Sequence, residues 1–240
     1  MASEDEKNSK GLNPAIPPSP SAADYQTRLE SVALTNDGAE ADPDFFVAAD
    51  PMDLFAQWLK AARERELNDP HAMALASVDA QGAPNLRIVL LKDYDARGFS
   101  FFTNELSAKG QELATKPVGA LAFHWKSLRR QVRIRGSVER VDDAAADAYF
   151  ATRARDSQIG AWASAQSQEL ASRAQLEAAH RGYKARFGDA AIPRPPHWGG
   201  FRLVASRIEF WRSRDFRLHD RREFFRDGPG HPWSHRLLNP

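Results

Sequence analysis

Near the C-terminus, the segment Trp211-Arg-Ser-Arg-Asp-Phe-Arg-Leu-His-Asp-Arg221 places Arg217, His219 and Arg221 at alternate positions. Ile208, Phe210 and Trp211 form an apolar approach to it. On an extended strand, side chains two apart share a face. The spacing therefore predicts two guanidiniums and an imidazole on one surface, with Leu218 and Asp220 turned the other way. Burying such a row is costly unless something anionic or electron-rich lies opposite. A solvated, charged strand face accounts for the same spacing, and the segment alone leaves both readings open.

Other polar clusters have the same anion-binding character. Arg87 and Lys92 bracket the apolar run Ile88-Val89-Leu90-Leu91, either to meet an anion or as snorkelling caps of a buried strand. Thr103, Ser107 and Lys109 surround an expected helix start, where free backbone N–H groups favour a phosphate. Ordinary capping explains Ser107 equally well. Tyr149 and Arg153 are four apart, hence on one face of an expected helix, and Arg155 and Ser157 follow directly. A phenol, a guanidinium and a hydroxyl all donate hydrogen bonds and suit a phosphate dianion. The alternative is an exposed helix end with Asp156 pairing an arginine. Gln131, Gln166 and Ser167 have the donors and acceptors to meet a heterocycle edge, or to pair with backbone.

Several chemistries are disfavoured. The chain has no cysteine, which excludes disulfides, thiolate metal sites and cysteine nucleophiles. Its seven histidines are scattered, and Pro232 and Trp233 argue against a helix that would pair His231 with His235, so no metal site is expected. Phosphate-loop, dinucleotide and nucleophile-elbow signatures are missing. Across 240 residues, 42% are apolar and 27% charged, as in an ordinary globular protein, and the net charge of +1 gives no global pull towards nucleic acid or acidic membranes. No apolar run approaches the roughly 18 residues of a membrane span. The acidic start Met1-Ala-Ser-Glu-Asp-Glu does not resemble a signal peptide. A cytoplasmic protein without a membrane or nucleic-acid partner is expected.

The elements that must position these residues are mainly strands. Residues 1–44, with Pro14, Pro17, Pro18 and Pro20, form an expected tail or arm, compatible with a short helical segment over 25–34. A single domain is expected over 45–240, with its first firm element at Asp50-Pro51-Met52-Asp53, where a capping Asp and a Pro open a helix whose stripe is Leu54, Phe55, Trp58, Leu59 and Ala62. Strands are expected over 72–78, 85–92, 99–103, 118–125, 131–141, 200–211, 216–226 and 233–238. Short helices are expected over 108–115 and 142–152, and a longer one runs from a capping Ser167 to Phe187 before Gly188. The pattern predicts a mainly antiparallel barrel with attached helices.

Taken together, the chain resembles the pyridoxine/pyridoxamine 5′-phosphate oxidase family. The matching stretches are Arg87-Ile-Val-Leu-Leu-Lys92, Phe102-Thr-Asn104, Arg130-Gln-Val132, Arg155-Asp-Ser-Gln-Ile-Gly-Ala-Trp162, Gln166-Ser167, Pro193-Arg-Pro-Pro-His-Trp-Gly-Gly-Phe-Arg202, Ile208-Glu-Phe-Trp211 and Arg217-Leu-His-Asp-Arg221. They run in order from about Asp50 to Pro240, and the last three are highly specific. The resemblance implies an FMN-binding split β-barrel and a homodimer with two active sites at its interface. It also implies oxidation of pyridoxamine or pyridoxine 5′-phosphate to pyridoxal 5′-phosphate, with dioxygen as acceptor and hydrogen peroxide released. By position it assigns Arg87, Lys92, Phe102, Thr103, Lys109, Gln131, Gln166, Ser167, Trp211 and Arg221 to FMN. Lys92, Tyr149, Arg153 and Ser157 become the clamp on the substrate phosphate, and Arg217 and His219 lie beside the reacting carbon.

Two departures stand out. Phe102 replaces the family's usual Tyr, and Ala108 replaces its usual Arg beside Lys109. Loss of one charge-assisted hydrogen bond, roughly 1.5–3 kcal/mol, weakens cofactor binding about ten- to a hundredfold unless a neighbour compensates. Tyr25 and Arg28 are the arm's candidate lid groups. These departures leave a non-catalytic flavin or pyridoxal-phosphate binder, or a split-barrel flavin reductase with another substrate, as alternatives. The intact Arg217/His219 pair and the complete phosphate clamp count against both.

Overall fold

A computed structural model of the chain describes residues 44–240. The possible helix over 25–34, Tyr25 and Arg28 therefore lie outside the described residues. Folding starts earlier than Asp50: a short helix α1 (Asp44–Val47) precedes α2 (Pro51–Arg65). Phe45 is fully buried, and the buried guanidinium of Arg222 donates to the carbonyls of Phe45 (2.6 Å) and Ala48 (2.7 Å). That anchor lies far along the chain, which is why local pattern does not reveal it.

α2 forms for local reasons. Asp50 caps it by accepting from Met52 N–H at 2.8 Å, and Pro51 occupies its first turn. Its stripe of Leu54, Phe55, Trp58, Leu59 and Ala62 is buried. Phe55 meets Phe99 and Phe123 edge-on at 5.0 and 5.2 Å, and Trp58 meets Phe210 at 5.2 Å. Each large side chain so buried contributes about 1.5–3 kcal/mol, so α2 is the plug of the core.

Around α2 curls a nine-stranded antiparallel sheet. Its strands are β1 (Ala72–Val78), β2 (Pro84–Leu90), β3 (Asp93–Asp95), β4 (Gly98–Asn104), β5 (Val118–Trp125), β6 (Arg130–Arg140), β7 (Trp198–Arg212), β8 (Asp220–Phe225) and β9 (Ser234–Leu237). The order is β2-β1-β5-β6-β7-β4-β3, with β8 also on β7 and β9 on β8. β7 organises the sheet. One edge pairs with β6 over 201–212, whereas the other pairs with β4 over 198–203 and with β8 over 207–212.

The remaining helices are α3 (Ala108–Thr115), α4 (Asp143–Ala151), α5 (Arg155–Ala163) and α6 (Arg173–Phe187). Ser107 caps α3, as its sequence allows, and Asp142, expected as the first helical residue, instead caps α4 by accepting from Ala145 N–H. Three expectations are corrected. The long helix begins at Arg173 under a Ser172 cap, because Ser167 sits in a turn with a left-handed φ of 70°. Arg153 lies beyond the end of α4 rather than on it. The strand expected over 216–226 begins only at Asp220, because residues 215–217 form a 3-10 turn in which Phe216 and Arg217 have φ of 55° and 62°.

A register shift between Arg135 and Gly136 bends β6 against β7. A Cβ on Gly136 would meet the Val204 carbonyl oxygen at 1.9 Å, so backbone occupies that space. Gly136→Ala is expected to lower stability by about 1–3 kcal/mol, read as a fall in the denaturant midpoint.

Candidate functional site

One cleft of about 470 Å³ collects most of the phosphate- and cofactor-binding candidates. Its lining includes Lys92, Phe102, Thr103, Lys109, Tyr149, Arg153, Ser157 and Gln166. Arg153 is its electrostatic centre. The guanidinium lies 4.9 Å over the Trp198 ring and 5.5 Å over Phe150. Its Nη1 is buried without a hydrogen-bond partner, and burial pushes its pKa below the usual arginine value. Uncompensated burial of a cation is costly, and an anion in the cleft relieves it. Ser157 stands in the first turn of α5, whose start has no side-chain cap, so the helix end adds N–H groups beside Arg153.

Aromatic packing holds the clamp in place. Tyr149 stacks on Phe102 at 4.3 Å, and Phe102 lies parallel to Trp198 at 5.5 Å. Lys92 Nζ sits 5.8 Å over the Tyr149 ring. Gly200 makes room for this stack, since a Cβ there would come within 2.7 Å of the Phe102 ring. Trp198 belongs to the stretch Pro193–Arg202 that carries the family resemblance, yet it was not among the sequence-predicted site residues. A Trp between turn residues signals packing, and only the fold places it under Arg153.

A second donor set lies along the same cleft. Lys109 Nζ donates to Thr103 Oγ1 at 3.1 Å and to Ser107 Oγ at 3.2 Å, and Thr103 donates to Gln166 Oε1 at 3.2 Å. Burial pushes the Lys109 pKa down, the Arg87 charge adds to this, and Glu112 opposes it. A buried ammonium held by hydroxyls suits the phosphate of a cofactor such as FMN, so these residues fit that group. Arg87 is not in the cleft wall. Its Nη1 donates to Leu75 O at 3.2 Å and to Ser77 Oγ, and its Nη2 pairs with Glu112 at 2.9 Å. Glu112 is a residue that sequence reasoning missed, since its partners come from separate elements. Ser167 is exposed and borders the turn that carries Gln166.

The remaining candidates gather elsewhere. Gln131 and Trp211 are register partners on β6 and β7, and Trp211 is opposite Arg221 on β8. The His219 ring packs 4.6 Å from Trp211. Arg221 Nε donates to Glu209 at 2.9 Å and its Nη1 to Asn239 O at 2.8 Å, while Arg133 pairs with the other Glu209 oxygen. The alternating row read from the sequence is thus a turn and a strand: Arg217 and His219 precede β8, and only Arg221 lies on it.

His219 has a defined proton position. The Arg214 backbone N–H donates to His219 Nδ1 at 3.1 Å, so Nδ1 accepts and the neutral ring carries its proton on Nε2. Asp220 accepts from Arg212 and Arg214, each at 2.7 Å, which braces the turn. Burial pushes the His219 pKa below 6.5, Arg217 adds to this, and Asp220 opposes it.

The two groups stand at opposite ends of β7. Thr103 pairs with Gly199, and Trp211 follows twelve residues later. At about 3.3 Å per residue the strand path between them is at most about 40 Å. The cleft residues and the His219 turn are therefore two separate groups along one strand. Among the described residues no cluster of three or more metal-ligating side chains occurs, and no helix is long and apolar enough to cross a membrane.

This curled antiparallel sheet around a plugging helix places the chain among the split-barrel proteins. In structure it is similar to PhzG from Burkholderia lata 383, solved in complex with tetrahydrophenazine-1-carboxylic acid, with a TM-score of 0.77, 30% identity, and coverage of 82% of this chain and 96% of that one. A pyridoxamine 5′-phosphate oxidase-related, FMN-binding protein from Nostoc punctiforme shares the fold at a TM-score of 0.64 and 18% identity, covering 78% of this chain and 96% of that one.

In sequence, residues 59–212 match the family model for pyridoxamine 5′-phosphate oxidase, and 198–240 match that for the pyridoxine 5′-phosphate oxidase C-terminal dimerisation region. A protein of Rhodopseudomonas palustris (strain BisA53) named pyridoxine/pyridoxamine 5′-phosphate oxidase is 58% identical over 82% of this chain and 92% of its own. Its namesake in Caulobacter vibrioides is 53% identical over 94% and 97%. The chain belongs to the pyridoxamine 5′-phosphate oxidase family.

The His219 geometry has a measurable consequence. Nitrogen NMR of the ring is expected to show the Nε2–H tautomer at neutral pH and a midpoint below 6.5. Because the folded-state pKa is depressed, His219 disfavours the fold as pH falls below the unfolded value, and none of that loss occurs above it. A midpoint above 6.5, or an Nδ1–H tautomer, contradicts the assignment.

Proposed function

We propose that the chain oxidises pyridoxamine 5′-phosphate and pyridoxine 5′-phosphate to pyridoxal 5′-phosphate with FMN as cofactor. The amine consumes one dioxygen and one water and yields ammonia and hydrogen peroxide; the alcohol consumes dioxygen alone and yields peroxide. The observation that carries this reading is Arg153: a half-buried guanidinium whose buried Nη1 has no partner and which has no acidic neighbour in contact, flanked by Tyr149, Ser157 and Lys92, in a member of this family. Those four side chains donate to the substrate phosphate and fix one end of the molecule.

When bound, FMN supplies the hydride-accepting ring and passes the electrons to dioxygen. Thr103, Lys109 and Gln166 would hold it from the cleft side, with Phe102 and Ser167 bordering them, and Gln131, Trp211 and Arg221 from the other half-site. Arg217 places positive charge where negative charge develops, and His219 offers its Nε2–H as a donor, with Nδ1 already engaged.

A homodimer joins the half-sites in this reading, with the cleft of one protomer facing the His219 turn of its partner. Leu86, Ile88 and Val118 are 66%, 67% and 51% exposed, an apolar face that a second copy would cover. The match to a C-terminal dimerisation region supports this arrangement.

Purified protein is expected to be yellow and to form pyridoxal 5′-phosphate and peroxide from pyridoxamine 5′-phosphate under air. Protein that stays colourless and inactive after FMN is added contradicts the reading. Arg217→Ala and His219→Ala are expected to reduce turnover far more than FMN retention. If either simply loses flavin and keeps full turnover with added FMN, the roles are misassigned. Arg153→Ala is expected to raise KM for the phosphorylated substrate about ten- to a hundredfold, the loss of one charge-assisted contact.

A further inference from the structure

Glu112 is an acid at the edge of a cationic pocket, yet every one of its contacts is engaged. Its side chain is 11% exposed. Oε1 accepts from Asn85 Nδ2 at 2.8 Å, and Oε2 accepts from Arg87 Nη2 at 2.9 Å and from Ser77 Oγ. Arg87 is in turn held by Leu75 O and Ser77 Oγ, so its guanidinium has one orientation. Lys109 and Glu112 are three apart on α3 and share a helix face. Two cations therefore stand around one carboxylate, which leaves one positive charge of the three uncompensated beside the cleft.

We propose that Glu112 is a positioning residue: it fixes the Arg87 guanidinium behind the cleft wall, so that its charge supports that of Lys109 at one anion-binding position. The inference rests on the reading of the cleft as an FMN and phosphate site. Without Glu112 the Arg87 side chain loses its only acidic anchor, on Nη2, and Ser77 and Asn85 lose their common acceptor, which loosens the guanidinium. A purely electrostatic role has the opposite sign, because removing a carboxylate strengthens the attraction for an anion. A purely structural role, bracing α3 against β1 and β2, acts on stability and is independent of Arg87.

The test is FMN titration of the full chain by flavin fluorescence. Glu112→Ala is expected to weaken binding about tenfold, equivalent to about 1.4 kcal/mol. Glu112→Asp keeps the charge but withdraws it by one methylene, and is expected to weaken binding by at least about fivefold. Glu112→Gln keeps the length and an acceptor for Arg87, and is expected to stay within about threefold of wild type, so the inference remains testable if the alanine variant fails to fold. In an Arg87→Ala background, Glu112→Ala is expected to change affinity by less than about twofold. Tighter binding by Glu112→Ala, or losses at Arg87 and Glu112 that multiply independently, overturns the inference while leaving the cleft's assignment standing. A wild-type chain that does not bind FMN overturns both.

Discussion

The hydrogen-bond ladder between β6 and β7 is the constraint on which both candidate groups depend. β7 is bound to β6 over 201–212, but its other edge changes partner from β4 to β8. The first half sets Thr103 and Phe102 against Gly199 and Gly200, and places Trp198 beneath Arg153. The second half sets Trp211 between Gln131 and Arg221. A side chain changes face with every residue of register, so one slip in this ladder would misdirect both groups at once. Gly136 and the register shift at Arg135 absorb the bend between them. α2 fills the concave side, so sheet curvature and core packing depend on the same aromatic contacts.

Cations in this protein divide by whether an acid accompanies them. Arg221 and Arg133 share Glu209, Arg212 and Arg214 share Asp220, and Arg87 has Glu112. Burial pushes the pKa of each of these acids up, but hydrogen bonds lower it overall, from the arginines for Glu209 and Asp220 and from Ser77, Asn85 and Arg87 for Glu112. These pairs stay charged and fix geometry. Arg153 and Lys109 are different, since their contacts are aromatic faces and hydroxyls, and burial lowers the pKa of both. Arg222 is buried without an acid as well, but backbone carbonyls accept from both its Nη groups, whereas the partnerless Nη1 of Arg153 and the hydroxyl-held Lys109 fit ligand binding. The distinction separates two uses of arginine that composition merges.

What was legible in the sequence follows from how local each cause is. α2 and α3 carry their caps and stripes within a few residues, and β1 and β5 match their expected bounds. The start of α6 was misplaced because Ser167 and Ser172 have the same capping chemistry, and only the backbone decides between them. α5 was missed because Ala154 offers no cap to read. The burial of Phe45 depends on Arg222, and the placement of Glu112 depends on β1 and β2, so neither has a signature in its own segment. The cleft residues proposed as a phosphate clamp were legible as a set of residue types, but Trp198, which packs under Arg153, was not.

The correction at Arg217 and His219 changes the chemistry available to them. On a regular strand both side chains would present to one face with their backbone consumed by the ladder. In the observed turn, the Arg214 N–H is free of the ladder and holds His219 Nδ1, while Asp220 ties Arg212 and Arg214 together at its base. Left-handed backbone at Phe216 and Arg217 costs of order 1–3 kcal/mol per residue and persists only where surroundings enforce it. The bracing ion pairs supply that enforcement. A strand would have given two guanidiniums and an imidazole in a row; the turn gives one neutral donor with a fixed proton, one exposed cation, and one arginine anchored on Glu209. In the proposed reading, that arrangement would separate holding a flavin from meeting a substrate within a span of five residues.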